Sequence, residues 1–250
     1  MTRLVSAEIF KLRTTRTFYG IVGGALGLVL VIVIVAAATA TWQPGDTPLR
    51  DLVGISGFAQ VFALVLGILA VTSEFRHGTI TPSLLVVPDR VRLTLAKLGA
   101  SLASGLMLGL ASTGLAAAIG AAILSARGID TGLTGSQVTK LIVGGTIATA
   151  LYAALGVGVG ALVRNQVGAI VGSLVYLFVL ENLLQIVKAL RDPLAKYGFG
   201  GVGQGLTGSG DVGADHPPLG QVSAGLVLAG YCALFLIAGI AMMRRRDINA

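Results

Sequence analysis

Two histidines, one cysteine and 11 acids are the groups in this 250-residue chain that could carry acid–base, nucleophilic or metal chemistry. Their spacing supports none of it. His77 and His216 are separated by three long apolar runs, so they are predicted on opposite faces of a membrane and cannot share a metal. Cys232 has no second cysteine to pair with, which excludes an intramolecular disulfide and a multi-cysteine site. It lies in an apolar run and reads as a small core-like thiol. H-E-x-x-H does not occur. Serines are plentiful, but neither histidine is predicted at membrane depth to serve one as a base. No catalytic residue and no metal site is assigned.

Phosphate chemistry fares no better. The G-x-x-x-x-G-K-[ST] loop is absent, so the chain has no obvious means of binding and hydrolysing a nucleotide itself. Gly198-Phe199-Gly200-Gly201-Val202-Gly203 matches G-x-G-x-x-G literally. It follows no strand and opens no helix of a βαβ unit, so it is not read as a dinucleotide site. Two features remain. Glu181-Asn182 interrupts an otherwise apolar run, and an ionisable group at membrane depth is a functional candidate by default. Glu181 could gate a pathway or touch a substrate, or it could pair with Asn182 or the backbone where a helix breaks. The other feature is Ser73–Arg92, charged and turn-rich between two uncharged runs.

The elements that must position these residues follow from composition. The chain is 54% hydrophobic and only 12% charged, about half the charge of an ordinary soluble domain. The 36 glycines fit membrane helices. A span needs roughly 20 apolar residues, and six runs qualify, at about 19–41, 52–72, 98–124, 141–163, 167–187 and 222–243. The expected fold is therefore an all-α integral membrane protein of one domain, 1–250, with six transmembrane helices. A cleaved signal peptide is the competing reading of the first run, because Ala38-Thr39-Ala40 looks like a cleavage site. Its apolar core, Ile21 to Ala38, exceeds the 7–15 residues of such a segment.

Charge sets the orientation. With both termini inside, the inner segments hold 12 of the 18 Lys+Arg and sum to +8, while the outer ones sum to −1. This satisfies the positive-inside rule. It also accounts for the net charge of +7 without nucleic acid, since basic ends suit anionic inner-leaflet lipid. Thr2–Arg16 places Val5, Ile9 and Leu12 at helical spacing and reads as an interfacial helix or as a merely basic topogenic tail. Lys188–Gln221 is the longest outer segment. Its Gly198–Gly213 stretch, eight glycines in sixteen residues, is expected to be mobile or irregular. Small-xxx-small pairs at Gly20/Gly24, Gly23/Gly27, Gly105/Gly109, Gly156/Gly160 and Gly168/Gly172 let helices approach closely, within the chain or between subunits.

Ser73–Arg92 is the inner loop between spans two and three. Gly78 and Pro88 bracket a predicted short helix. Thr79 or Thr81 can cap it, and Pro82 suits its first turn. It would expose Leu84, Leu85 and Val86 between basic flanks. Apolar groups on such a loop suit a protein partner, or the loop rests on lipid headgroups.

Glu74-Phe75-Arg76-x-Gly78-Thr79, then Leu84-Leu85 and Pro88-x-Arg90, resembles the membrane subunits of ABC exporters of the type-2 permease family. The likeness covers nearly the whole chain, including a basic N-terminal helix with Glu8 and Lys11, six spans, and a terminal Arg246-Asp247. It implies that the loop forms a coupling helix docked on a separate ATP-binding subunit. Glu74, Phe75, Arg76, His77, Gly78, Thr79, Leu84, Leu85 and Arg90 would form the coupling surface. Glu8 and Lys11 would lie on the interfacial helix. Two permeases, identical or homologous, and two ATPases would make the transporter. The partners would bind ATP and Mg, leaving this chain without a cofactor. A mostly apolar cavity would suit a lipophilic drug, lipid or peptide, and the likeness implies that it is exported across the cell membrane. The alternative is an ion-coupled secondary transporter or channel, for which only Glu181 qualifies as a buried midplane charge.

Overall fold

The computed structural model describes residues 1–43, 45–79, 82, 85, 87–210 and 217–245, without side chains from 243 onward. The described residues contain helices and no strand. Helix α1 (Thr2–Thr14) buries no residue and so lies on the outside of the bundle. One extended residue, Thr15, turns the chain into α2 (Arg16–Thr39). Helix α3 (Pro48–Gly54) passes through a single 3₁₀ turn, Ile55–Gly57, into α4 (Phe58–Arg76). Then come α5 (Arg90–Ala126) and α6 (Gly135–Val163).

Six helical stretches are long and apolar enough to cross a membrane: Arg16–Thr39, Pro48–Arg76, Arg90–Ala126, Gly135–Val163, Gln166–Leu184 and Gln221–Met242. They overlap all six runs read from the sequence, with shifted ends. The second begins earlier and continues to Arg76, so Ser73 to Arg76 belong to a helix and not to a loop. The third is a 37-residue helix. At 1.5 Å per residue it is about 55 Å long, against a hydrocarbon core of about 30 Å. Its first turns therefore stand clear of the apolar layer.

Helix α6 is the hub of the bundle, packed against α4, α5 and α11 (Gln221–Arg245). Glycine permits this. A Cβ at Gly67 of α4 would land on the Ala153 carbonyl oxygen, and one at Gly156 of α6 would land on that of Leu64. Likewise a Cβ at Gly105 of α5 would sit 2.7 Å from the Ala150 Cα. In lipid, helices gain contact by dispersion rather than by water exclusion, so backbones must come close. Gly105/Gly109 and Gly156/Gly160 thus serve packing within the chain. Gly20, Gly23, Gly27 and Gly172 meet nothing within 4 Å.

The fifth span is not one helix. Helix α7 (Gln166–Val175) passes through a π-helical turn, Tyr176–Leu180, into α8 (Glu181–Leu184). Two short helices follow, α9 (Lys188–Tyr197) and α10 (Phe199–Thr207). This corrects the expectation of a mobile or irregular Gly198–Gly213. Gly201, Val202, Gly203, Gly205, Leu206 and Thr207 of α10 are all buried. Its glycines are needed because the helix is wedged in: a Cβ at Gly201 would strike the Ala195 carbonyl, and one at Gly203 would come within 2.7 Å of the Gln60 amide oxygen. Residues 211–213 lie outside the described residues. Cys232 is buried and donates to the Leu151 carbonyl at 3.2 Å, as a small core thiol would.

Candidate functional site

The end of the bundle that carries Arg76 and Arg90 is held by a cluster of four charges from three helices. Lys97, on the second turn of α5, is 3% exposed and places Nζ 2.9 Å from Glu8 Oε2 of α1 and 2.7 Å from Glu74 Oε1 of α4. Lys11 of α1 donates to the same Glu74 oxygen. Glu74 is 1% exposed. Local sequence puts these groups there. Lys97 shares a helical face with buried Leu93, Ala96, Ala100 and Ser101, and Glu74 shares one with buried Gly67, Ala70 and Val71. Neither lysine nor glutamate can be buried alone at tolerable cost, so each fixes the other. The cluster fastens α1, the end of α4 and the start of α5 to one another.

The chain leaves this cluster by a Schellman turn. Thr79 N–H bonds to the Glu74 carbonyl at 2.9 Å and Gly78 N–H to that of Phe75 at 3.4 Å. Gly78 takes φ 65°, the left-handed conformation that this motif requires and that glycine adopts freely. The chain re-enters helix at Asp89, whose carboxylate accepts from Val91 and Arg92 N–H at 2.9 and 3.3 Å. Between these two caps, Pro82 and Leu85 are helical and Leu85 is 79% exposed. Ile80, Thr81, Ser83, Leu84 and Val86 lie outside the described residues, and with them the expected cap at Thr81, the Leu84 surface and the extent of the coupling helix.

The nine residues proposed from sequence for this surface do not share one environment. His77, Gly78 and Thr79 are exposed, and His77 Nδ1 lies 2.8 Å from the Ser73 carbonyl. Arg76 is exposed and reaches Gln166 Oε1 at 3.4 Å. Phe75 faces inward, with the Arg164 guanidinium 5.3 Å above its ring. Arg164 also donates to the Met242 carbonyl at 3.3 Å, tying α4 and α6 to α11. Arg90 is half-buried. Glu74 is not a surface group at all. In the sequence Lys97 counts only as one of the 12 Lys and Arg assigned to the inner segments, and its part in the cluster was missed. The signal was available, since a lysine recurs at the helical spacing of a buried face.

A second carboxylate is buried at the far end. Glu181, 2% exposed, follows the π-helical turn and accepts the Gly200 N–H at 2.8 Å. It therefore caps α10, where the first amides have no partner within the helix. Gly198 and Gly200 leave room for it: a Cβ at Gly200 would lie 3.1 Å from Oε1. Asn182 does not pair with Glu181. Its Nδ2 donates to the carbonyls of Leu177 and Phe178 at 3.3 and 3.2 Å, groups that the π-helical turn leaves accessible. The Tyr152 hydroxyl donates to the Phe199 carbonyl, and Gln60 Nε2 to Thr207 Oγ1 at 3.1 Å. Helix α10 is thus tied to α4, α6 and the fifth span at both its ends. Beside it lie cavities of about 450 Å³, bounded by Glu181, Asn182 and Gln204, and about 230 Å³, bounded by Gln60, Tyr152 and Phe178. Among the described residues, no cluster of three or more His, Cys, Asp or Glu could hold a metal ion.

Residues 4–180 match the model of a family described as ABC-2 family transporter protein. No curated protein matches the chain significantly.

Proposed function

The chain belongs to the ABC-2 family of transporter proteins and is a multi-pass membrane component of a transporter. From that premise we propose that it forms the substrate pathway of an exporter and is driven by separate ATP-binding subunits that hold its 74–92 hairpin. The hairpin end faces the cytoplasm in this reading, because the basic residues gather there. The observation that carries the proposal is the Glu8–Lys97–Glu74–Lys11 cluster. Force applied to an exposed loop is dissipated unless the loop is rooted in rigid elements. Here both legs of the hairpin, α4 and α5, are locked to each other and to α1 immediately above it. A push on Leu85 or His77 would then tilt α4 and α5 as a pair, along with the α6 packed against both.

The outer gate in this reading is α10, held at its N-terminus by Glu181 and flanked by the two cavities. Tilting α4 moves Gln60, which is bonded to α10, and so joins the driven end to the gate. The mixed lining of the cavities, with amides and a tyrosine among Leu177, Phe178 and Val61, suits an amphipathic substrate: a lipophilic drug, lipid or peptide. ATP and Mg would be held by two partner subunits, and a second permease copy or a homologue would complete the pathway in the cell membrane.

The test uses Leu85→Asp. Leu85 is exposed, so the fold should tolerate the change, but the variant should no longer co-purify with the cognate ATP-binding subunit or support uphill transport in proteoliposomes. Capture and transport at wild-type level would overturn the reading. So would sustained uphill transport by the chain alone.

A further inference from the structure

A cavity of about 460 Å³ opens beside the charge cluster, between α1, α2, α4 and the start of α7. Its walls are of two kinds. The part toward the bundle interior is apolar, made by Leu12, Phe18, Leu66, Leu69 and Ala70. The part toward the bundle end is polar and cationic, with Lys11, Thr15, Thr17, Arg76, His77 and Gln166. The acids at its edge, Glu8 and Glu74, are already taken up by Lys97 and Lys11. Arg76 is different. Its one hydrogen-bond partner among the described residues is the neutral Gln166 amide oxygen, at a long 3.4 Å. Residues 79–87, the loop that follows it, contain no acid by sequence.

We infer that this cavity is a site for one anionic phospholipid, its phosphate held by Arg76 at the bundle end and its acyl chains laid along Phe18, Leu66 and Leu69. Charge and shape both select this occupant. Among the described residues no carboxylate is paired with Arg76; a guanidinium so placed takes a charge-assisted, bidentate partner well, and phosphate fits its fork. Apart from Leu12 of α1, the apolar wall belongs to helices long and apolar enough to cross the membrane, so the surrounding solvent of this cavity is the lipid leaflet itself. A soluble phosphate would leave that wall unfilled. The volume falls in the range of about 300–1,000 Å³ usual for small-molecule sites. Such a lipid would bridge α1, α4 and α7 at the root of the hairpin. It rests on the cytoplasmic assignment of this end only for the leaflet involved, and its binding does not require an ATPase.

The full-length chain, purified alone in detergent, is titrated with phosphatidylglycerol and with phosphatidylcholine of identical acyl chains and read by native mass spectrometry. The first phosphatidylglycerol should bind roughly tenfold more tightly than the first phosphatidylcholine, the worth of one hydrogen-bonded charge contact. Arg76→Gln should bring the two lipids to parity, Arg76→Lys should keep a preference, and Leu69→Trp, which fills the groove, should weaken both. All three variants can be checked for retained helix by circular dichroism. Equal binding of the two lipids to wild type, an unchanged preference in Arg76→Gln, or displacement of phosphatidylglycerol by inorganic phosphate would each overturn the inference. Because no partner subunit enters the assay, loss of coupling to an ATPase would leave this result untouched, and the reverse.

Discussion

Glu74 and Glu181 are both buried carboxylates near opposite ends of the bundle, and the chain neutralises them by different means. Glu74 receives two ammonium groups on one oxygen. Glu181 receives a backbone amide at the N-terminus of a short helix. In each the second oxygen, Oε2, is buried without a hydrogen bond among the described residues. The contrast separates two kinds of fastening. Full opposite charges in a low-dielectric setting resist separation strongly, and removing one strands the other. A helix end offers only partial charge, about half a unit, spread over several amides. The Glu74 cluster therefore suits a joint that must not slip, and the Glu181 cap suits one that can open. The difference also shows in reach, since the Glu74 cluster joins α1, α4 and α5 while the Glu181 cap holds one helix of nine residues.

The comparison can be tested from its strongest side first. Lys97→Met should lower stability by about 3–5 kcal/mol, because Glu74 is left buried with only the half-exposed Lys11. Unfolding in mixed micelles followed by circular dichroism measures this. The triple change Glu8→Gln, Glu74→Gln, Lys97→Met leaves no stranded charge and should recover most of the loss. If Lys97→Met alone costs less than about 1 kcal/mol, the Glu74 end is not the firmer one. At the other end, Glu181→Ala should cost about 1–2 kcal/mol, as for the loss of a helix cap. Glu181→Gln should cost well under that, because its amide oxygen still accepts from Gly200. Transport should follow the same order, with the glutamine variant active and the alanine variant impaired. A glutamine variant that keeps its fold but transports nothing would make the charge itself the working element. Gly78→Ala, which forces φ 65° on a residue with a Cβ, should cost about 1–2 kcal/mol and loosen the start of the hairpin. Smallest in stability is Leu85→Asp, within about 0.5 kcal/mol for an exposed position, though ATPase capture should be lost. A large loss of stability there would mean that Leu85 is packed rather than presented.

Much of the molecule can be read from the chain alone. Six spans, their order, and the gathering of positive charge at one end follow from length and composition, because a bilayer admits only long apolar helices. The close-approach role of Gly105 and Gly156 was visible as a spacing. That spacing alone did not distinguish them from Gly20 or Gly172, which face nothing. The Gly198–Gly213 stretch was misread for a related reason. Eight glycines suggest freedom in isolation, but the four in α10 answer to a lack of space, as at Gly201 beside Ala195 and at Gly203 beside Gln60 and Tyr152. Only the packed neighbours reveal which of these applies.

The same limit governs the charges. Sequence determined that Glu8, Lys11, Glu74 and Lys97 would collect at one end, since two spans, an out-and-back crossing, separate the first pair from the second. It could not determine that they meet in one buried cluster, because that depends on how α1 folds back at Thr15 and at what height α4 and α5 cross. Nor could it show that Glu181 caps α10, which lies 19 residues further on. Local chemistry sets which groups need a partner once out of water, and only the three-dimensional arrangement of the helices decides which partner is within 3 Å.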